Sequence, residues 1–158
     1  MVPVTVTSPA FDGGGFIPSK YTCDGIDVRS AVSGIGLPAG TDSIAILCDD
    51  PDAPVGDWVH WIAYNVPPDM NGIPENFSGR VREYRGVLEG LNDFRKEGWG
   101  GPCPPRGVHR YFFKVFFLDT LLEDRRGISK LEFLRAVKEH MLGYGELIGK
   151  YQSGGGKG

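Results

Sequence analysis

The chain has 158 residues, of which 41% are hydrophobic, and 17 Lys and Arg against 20 Asp and Glu give it a net charge of −3. This composition excludes an intrinsically disordered chain, and an acidic balance argues against a nucleic-acid-binding protein. The 24 glycines and 12 prolines favour a fold rich in turns over a helix bundle.

Four segments have the composition of β-strands. Val4–Thr7 is the first, and Ser43–Cys48 is a continuous apolar run between turn residues, which is typical of a strand buried on both faces. Trp58–Val66 is rich in aromatic and β-branched residues, and Arg110–Leu118 has the strongest strand pattern of the chain. Residues 69–107 contain many glycines and prolines, which predict long loops with two short strands.

Only the last third of the chain has a helical pattern. Ser129 and Glu132 have the spacing of a capping box, and Gly143 is placed to end the helix. The apolar residues on the predicted inner face are Leu131, Leu134, Val137 and Met141. A second, shorter helix is predicted over Glu146–Tyr151. The expected fold is therefore mainly β, with antiparallel strands, long loops and one or two C-terminal helices.

The domain organisation is predicted to be simple. We expect a single domain over residues 1–152 and a flexible Gly-rich tail over residues 153–158. No apolar run approaches the length of a membrane span, and the first residues lack the pattern of a secretory signal, so we expect a cytoplasmic protein.

Three cysteines are too few for a disulfide scaffold, and no pair of them has zinc-ligand spacing. We therefore expect thiols, no metal and no cofactor. A bridge between Cys23 and Cys103 stays open, because it depends on whether the fold brings their loops together.

An acidic cluster follows the predicted strand Ser43–Cys48. Asp49, Asp50 and Asp52 lie in a short loop that two prolines stiffen. Carboxylates crowded in this way repel one another unless a histidine, a metal or backbone donors offset them. Each aspartate alone is equally well explained as a turn residue that caps its own backbone.

Two histidines lie on predicted strands. Strand alternation places on one face Trp58, His60, Ile62 and Tyr64. A histidine in such a place is more often a hydrogen-bonded core residue than a ligand, but His60 is close in sequence to the acidic cluster. His109 and Tyr111 point to the same side of the last predicted strand.

A glycine- and proline-rich segment precedes His109. Glycines at positions 98, 100 and 101 leave backbone N–H groups free to converge on an anion, and prolines at 102, 104 and 105 hold the loop in one shape. The alternative is a crossover loop without a binding role. Dinucleotide, P-loop and nucleophile-elbow motifs are not found in the sequence.

Three segments together resemble the phosphatidylethanolamine-binding protein family, also called the Raf kinase inhibitor protein family. They are Asp50-Pro-Asp-Ala-Pro54, Trp58-Val-His-Trp61 and Gly101-Pro-Cys-Pro-Pro-Arg-Gly-Val-His-Arg-Tyr111. The resemblance is to the bacterial and archaeal branch and covers nearly the whole chain, including Asn92-Asp-Phe94. It implies a central antiparallel sheet flanked by a smaller sheet, and a surface cavity for small anions and phospholipid head groups.

The resemblance also implies site residues and partners. The residues that would line the cavity are Asp50, Asp52, His60, Gly101, Pro102, His109 and Tyr111. Family members include kinase modulators and serine protease inhibitors, and small members often form homodimers. These partners are therefore expectations for this chain as well.

Our hypothesis from the sequence is a regulatory binding module rather than an enzyme. The two histidines and the glycine N–H groups would hold a dianion, to which Tyr111 donates a hydrogen bond. Asp50 and Asp52 would orient the imidazoles and raise their pKa, or accept from a ligand ammonium, so anion affinity should rise as the pH falls from about 8 to 6. The alternatives are an interaction protein that inhibits a serine protease or regulates a kinase, and an Asp/His hydrolase, which lacks an evident nucleophile.

Overall fold

The computed structural model describes residues 1–75, 86–125 and 127–153. Its strands are β1 (Val2–Pro3), β2 (Thr5–Thr7), β3 (Val32–Ile35), β4 (Ser43–Asp50), β5 (Trp58–Val66), β6 (Gly72–Ile73), β7 (Leu88–Glu89), β8 (Val108–Leu118) and β9 (Met141–Gln152). Within these ranges, one α-helix, α1, spans Lys130–Lys138, and two 3₁₀ turns lie at Ser19–Tyr21 and Pro68–Met70. The four predicted strands and the two short ones are all present.

The strands form two sheets. The larger has the order β1-β9-β8-β4-β5-β7, and its neighbouring strands are antiparallel except β1 and β9, which are parallel. The smaller has the order β2-β3-β6 and is antiparallel. The expected mainly β fold, with a central sheet and a smaller flanking sheet, is confirmed.

Two apolar clusters hold the layers together, one on each face of the large sheet. On one face Val32 of the small sheet belongs to a cluster with Trp61 of the large one. On the other face Phe133 and Val137 of α1 belong to a cluster with Phe116. β4 is buried along its whole length because it lies in the middle of the sheet, between these two clusters.

The capping box of α1 is confirmed, but the predicted inner face is partly wrong. Ser129 Oγ accepts a hydrogen bond from Glu132 N at 3.3 Å, and Glu132 Oε1 accepts one from Ser129 N at 3.4 Å. The side chains that α1 buries are Phe133 and Val137, whereas Leu131 is 60% exposed. The capping box therefore located the start of the helix, but the leucine pattern did not show which face enters the core.

The last strand corrects the predicted second helix over Glu146–Tyr151, because β9 pairs with β8 along this segment. The buried positions of β9 alternate as in a strand and are Gly143, Gly145, Leu147, Gly149 and Tyr151. Three of the five are glycines, which hide the apolar alternation from the sequence. A Cβ at Gly145 would lie 2.1 Å from the Val4 carbonyl oxygen, so glycine lets the N-terminal segment approach. Gly143 belongs to this strand and does not end α1, which stops at Lys138.

β5 contains a β-bulge at His60. Val59 and Trp61 pair with two consecutive residues of β4, so His60 is an extra residue on β5. The bulge shifts the alternation of side chains along β5, so that Ile62 and Tyr64 lie on the face of the sheet that α1 covers. His60 lies on the opposite face, where its ring contacts an aromatic ring of β8. The prediction that His60 shares a face with Ile62 and Tyr64 is therefore wrong.

Cys23 and Cys103 form a disulfide, which corrects the expectation of thiols for these two residues. Cys48 is a free thiol and is fully buried. The bridge links the loop after the first 3₁₀ turn to the proline-rich segment before β8, and Cys23 N donates to Pro102 O at 3.1 Å nearby.

The structure leaves the predicted tail and domain bounds untested. Residues 154–158 of the expected Gly-rich tail lie outside the described residues, so the tail and the single domain over 1–152 stay predictions. In the part of the chain that the structure describes, no helix has both the length and the apolar character needed to cross a membrane.

Candidate functional site

The sheet topology brings the predicted motifs to one end of the large sheet. β4 is antiparallel to both β5 and β8, so its last residues lie beside the first residues of both neighbours. Asp50 at the end of β4 pairs with Trp58 at the start of β5. The loop after β4 and the glycine- and proline-rich segment before β8 therefore lie over the same end of the sheet.

A cavity of about 260 Å³ lies at this end. Four residues that the sequence predicted line it: Asp50, His60, His109 and Tyr111. The other lining residues are Ala53, Pro54, Val55, Trp58, Phe94, Cys103, Pro104 and Pro105. A cavity of this size suits a small group rather than a large organic ligand.

Asp52 lies beside the cavity but does not line it. Arg110 holds its carboxylate through Nε at 2.9 Å and Nη2 at 2.8 Å, and the Arg110 backbone N–H donates to it at 2.9 Å. These hydrogen bonds from Arg110 lower the pKa of Asp52 to about 2. Asp52 thus lies next to the predicted site residues, with its carboxylate paired to Arg110 and outside the cavity lining.

Gly101 and Pro102 also lie outside the cavity lining. The glycine N–H groups were expected to be free for an anion, but each of them is hydrogen-bonded within the protein. Gly98 N donates to Gly90 O at 3.3 Å, and Gly100 N donates to His60 O at 3.0 Å. Gly101 N donates to Asp27 Oδ2 at 3.4 Å. A Cβ at Gly101 would overlap the Asp27 carboxylate, so this glycine serves close packing within the protein.

The backbone of Gly100, in the glycine-rich segment, forms a hydrogen bond with the His60 ring. The ring Nδ1 lies 2.5 Å from Gly100 O. A carbonyl oxygen only accepts, so Nδ1 carries the hydrogen and Nε2 of the neutral ring is an acceptor. Burial lowers the pKa of His60, and this effect exceeds the upward effects of the Gly100 hydrogen bond and the Asp50 charge. The aspartates act in the expected upward direction, but burial outweighs them, so the pKa of His60 is lowered overall.

This shift predicts how His60 affects stability at acidic pH. Its pKa in the folded protein lies below the 6.5 of an ordinary histidine, so between these two values the unfolded chain binds more protons than the native one. The free energy of unfolding should therefore fall as the pH drops below about 6.5. An NMR titration of the His60 ring checks this, and a midpoint at or above 6.5 would contradict it.

Asp50 orients the second histidine. His109 Nδ1 lies 2.7 Å from Asp50 Oδ2, and both side chains are buried. The other carboxylate oxygen accepts the backbone N–H of Asp52 at 2.7 Å. The expectation that Asp50 orients an imidazole is confirmed, and it leaves Nε2 of His109 as the ring nitrogen available to a ligand.

Tyr111 lies on β8, the strand of His109, and its hydroxyl is unsatisfied among the described residues. It is fully buried, and within residues 1–75, 86–125 and 127–153 its Oη has no hydrogen-bond partner. Its ring contacts that of His60 edge to face, with 5.1 Å between the centroids. Burial raises the pKa of Tyr111, so the hydroxyl stays protonated and remains a donor.

The negative charges of the acidic cluster have the nearby partners that their crowding requires. Fully buried Asp49 points away from the cavity, where Lys130 Nζ lies 3.0 Å and Lys114 Nζ 3.2 Å from its carboxylate. Each of the three neighbouring carboxylates thus has its own cationic or imidazole partner: lysines for Asp49, His109 for Asp50 and an arginine for Asp52.

The sequence did not predict that Phe94 forms an aromatic wall of the cavity. The Phe94 ring lies edge to face against Trp58 and against His60, with centroids 5.4 Å away in each case. Asn92 fixes this loop, since its Oδ1 accepts Phe94 N at 2.9 Å and its Nδ2 donates to Gly98 O at 2.8 Å. The signal for this wall was Asn92-Asp-Phe94, one of the segments that carried the resemblance.

Metal binding has little geometric support in this cavity. In the described part of the chain, no group of three or more His, Cys, Asp or Glu side chains is arranged to hold a metal ion. Cys103 lines the cavity, but its sulfur is in the disulfide.

Fold and cavity together define a class of two-sheet β protein with a small preformed cavity at one end of its main sheet. The chain belongs to the phosphatidylethanolamine-binding protein family, whose model matches residues 7–152. This confirms the resemblance that the sequence motifs indicated.

Individual relatives agree with this assignment. The UPF0098 protein of Methanothermobacter thermautotrophicus is 47% identical over 145 residues, which cover 92% of this chain and 96% of that protein. A putative phosphatidylethanolamine-binding protein homologue of Chlamydia trachomatis, CT736, has a crystal structure with a TM-score of 0.88 at 33% identity, covering 97% of this chain and 99% of that one. E. coli YbcL, described as a new member of the mammalian family, has a TM-score of 0.86 at 29% identity, with 94% and 98% covered.

Proposed function

We propose that this chain is a binding protein whose cavity holds a small anionic group, either phosphate or a phosphorylated head group. The observation that carries the proposal is the Tyr111 hydroxyl, which is buried without a partner in the described residues beside two histidines. A buried unsatisfied hydroxyl costs about 1–3 kcal/mol, and a ligand oxygen would satisfy it. The family's name, which refers to a phospholipid, also supports a phosphorylated ligand.

The cavity offers the proposed ligand two kinds of polar contact. Tyr111 donates from Oη, and His109 contacts the ligand through Nε2 while Asp50 holds its Nδ1. When the His109 ring is protonated, Asp50 balances its charge and Nε2 becomes a second donor. Tyr111 and His109 both belong to β8 and both line the cavity, so their polar groups can reach two oxygens of one tetrahedral anion.

We propose binding without turnover. The commonest nucleophiles of acyl transfer are a free thiol or hydroxyl beside a base. Among the lining residues described, the sulfur is that of Cys103, which is in the disulfide, and the hydroxyl is that of Tyr111. Burial raises the pKa of Tyr111, which makes this hydroxyl a poor nucleophile.

Replacing Tyr111 with phenylalanine separates binding from folding. The variant should bind phosphate about tenfold or more weakly, because it loses a hydrogen bond to a charged ligand. It should be at least as stable as the wild type, because no described residue forms a hydrogen bond with the hydroxyl that it loses. Isothermal titration with phosphate measures the change in affinity, and urea unfolding measures the change in stability.

Tyr64→Phe is the matched control. Tyr64 lies on the opposite face of the sheet, and its hydroxyl donates to Arg125 O at 3.2 Å. This variant should lose about 1 kcal/mol of stability and keep its phosphate affinity. Unchanged phosphate binding in Tyr111→Phe would contradict the proposal.

A second candidate function is an interaction protein that inhibits a serine protease or regulates a kinase. The observation that favours it is the apolar mouth of the cavity, where Val55 is 78% and Phe94 38% exposed. Inhibition lost in Val55→Asp but kept in His109→Ala would assign this activity to the mouth rather than to the anion. The cytoplasmic location and the homodimer stay predictions.

A further inference from the structure

A second cavity lies on the face of the large sheet that α1 covers in part. Its volume is about 560 Å³, and it shares no lining residue with the cavity at the end of the sheet. Its apolar lining consists of Met1, Phe112, Phe116, Met141 and Tyr144. A cavity of this volume with an apolar and aromatic lining is typical of sites for small organic molecules. We call it the β8–β9 groove, after the strands that supply most of its lining.

Four charged side chains at the groove balance one another. Asp49 is fully buried, with Lys114 Nζ 3.2 Å and Lys130 Nζ 3.0 Å from its carboxylate. Lys130 also binds Asp57, which lines the groove together with Lys114. Two cations thus face two anions, and this group of four carries no net charge.

Glu146 adds a negative charge to the groove that no cation among the described residues neutralises. It lies directly across from Lys114 in the register of β8 and β9, but Lys114 forms its ion pair with Asp49 instead. The Tyr144 hydroxyl donates to Glu146 Oε2 at 2.5 Å. Burial and this hydrogen bond raise the pKa of Tyr144, so the hydroxyl stays a donor and holds the carboxylate at the groove. Glu146 is exposed, so its carboxylate can still bind a cation.

The aromatic rings of the groove suit a cation. Phe116 and Tyr144 are neighbours across β8 and β9, with 5.2 Å between the ring centroids. The same face of the sheet already binds cations of the chain itself, since Arg110 and Lys114 lie 5.4 and 5.7 Å from the centroid of the Phe112 ring. Aromatic rings attract cations through their faces, and proteins recognise organic ammonium ions in this way.

We propose that the β8–β9 groove binds a small organic ammonium ion with an apolar body. The ammonium contacts Glu146, and the body lies against Tyr144, Phe116 and Met141. This inference is independent of the proposed function, because it concerns other residues on another part of the sheet. An anion of the same shape is repelled by Glu146, and a neutral molecule gains only the apolar contacts.

Three probes of similar size test the charge preference: phenethylamine, 2-phenylethanol and 3-phenylpropionate. The three methionines of the chain report where they bind, because Met1 and Met141 line the groove whereas Met70 lies beside the small sheet. In ¹³C-methyl-methionine NMR spectra, phenethylamine should shift the Met1 and Met141 signals saturably and leave that of Met70 unchanged. The alcohol and the carboxylate should bind about threefold or more weakly, since each lacks the ion contact.

Glu146→Gln isolates the charge, because its amide oxygen still accepts the Tyr144 hydroxyl. The variant should bind phenethylamine about threefold or more weakly than the wild type, and no better than it binds 2-phenylethanol. Glu123→Gln is the matched control, since it removes the same charge from a side chain that is 80% exposed and outside the groove lining. This control should bind phenethylamine as the wild type does.

The outcomes separate this inference from the proposed function. Tyr111→Phe should keep its affinity for phenethylamine, whatever its affinity for phosphate. Equal binding of the three probes, no saturable shift of the Met1 and Met141 signals, or an unchanged affinity in Glu146→Gln would overturn the inference. So would methionine signals that shift with protein concentration alone, because a second copy of the chain would then cover the groove.

Discussion

Replacing Cys23 with serine should lower the free energy of unfolding by about 2–5 kcal/mol. The disulfide joins residues that are 80 positions apart, so its removal releases a long loop in the unfolded chain. The effect should reach the ligand too, because Cys103 lines the cavity and the proline-rich wall would lose its covalent link to the N-terminal loop. Urea unfolding and phosphate titration measure both changes.

The reduced wild type is the control for this variant. Treatment with a dithiol reductant should bring the wild type to the stability of Cys23→Ser, whereas the variant should not respond. Cys48 is buried and does not take part in the bridge, so its thiol should stay unreactive in the native protein. Equal stability of oxidised and reduced wild type would contradict the expected contribution of the bridge.

The second large effect is expected for His109→Ala. Asp50 would keep its buried carboxylate without the imidazole 2.7 Å away, and losing a buried hydrogen bond to a charged group costs about 1.5–3 kcal/mol. Phosphate binding should be lost together with Nε2. The protein should unfold at lower urea concentration, and titration should show no saturable heat.

The chain contains a matched control, because His140 and Asp119 form the same kind of pair at 2.9 Å on the surface. There the side chains are 41% and 50% exposed, so His140→Ala should change stability by no more than about 0.5 kcal/mol. Double-mutant cycles of the two pairs give their coupling energies directly. Equal coupling in both cycles would show that burial does not strengthen the Asp50 pair.

Most of the fold could be predicted, because the amino-acid composition of its central strands is typical of buried β-strands. Ser43–Cys48 and Trp58–Val66 are apolar or aromatic runs bounded by turn residues, and the structure extends the first only to Asp50. β9 could not be predicted, because glycines occupy three of its five buried positions and leave no apolar alternation to detect. Its pairing with β8 is a tertiary constraint that overrides local preference.

The site could be predicted in part, since its motifs contain the residues that the topology brings together. His60 was found from its proximity to the acidic loop, but its face was assigned wrongly because a bulge does not alter the sequence pattern. The direction in which each aspartate side chain points depends on the partner that reaches it. Arg110 binds Asp52 and His109 binds Asp50, and both partners come from β8, which is distant in sequence.

The disulfide beside the cavity also bears on where the protein works. Glutathione and thioredoxin keep exposed cysteines reduced in most cytosols, and both cysteines of this bridge are exposed. A cytoplasmic location and an intact bridge are therefore compatible in a cell whose interior preserves disulfides, as in hyperthermophiles. In other cells, structural disulfides are found mainly in oxidising compartments, and the redox poise of the surroundings would decide how firmly the cavity wall is anchored.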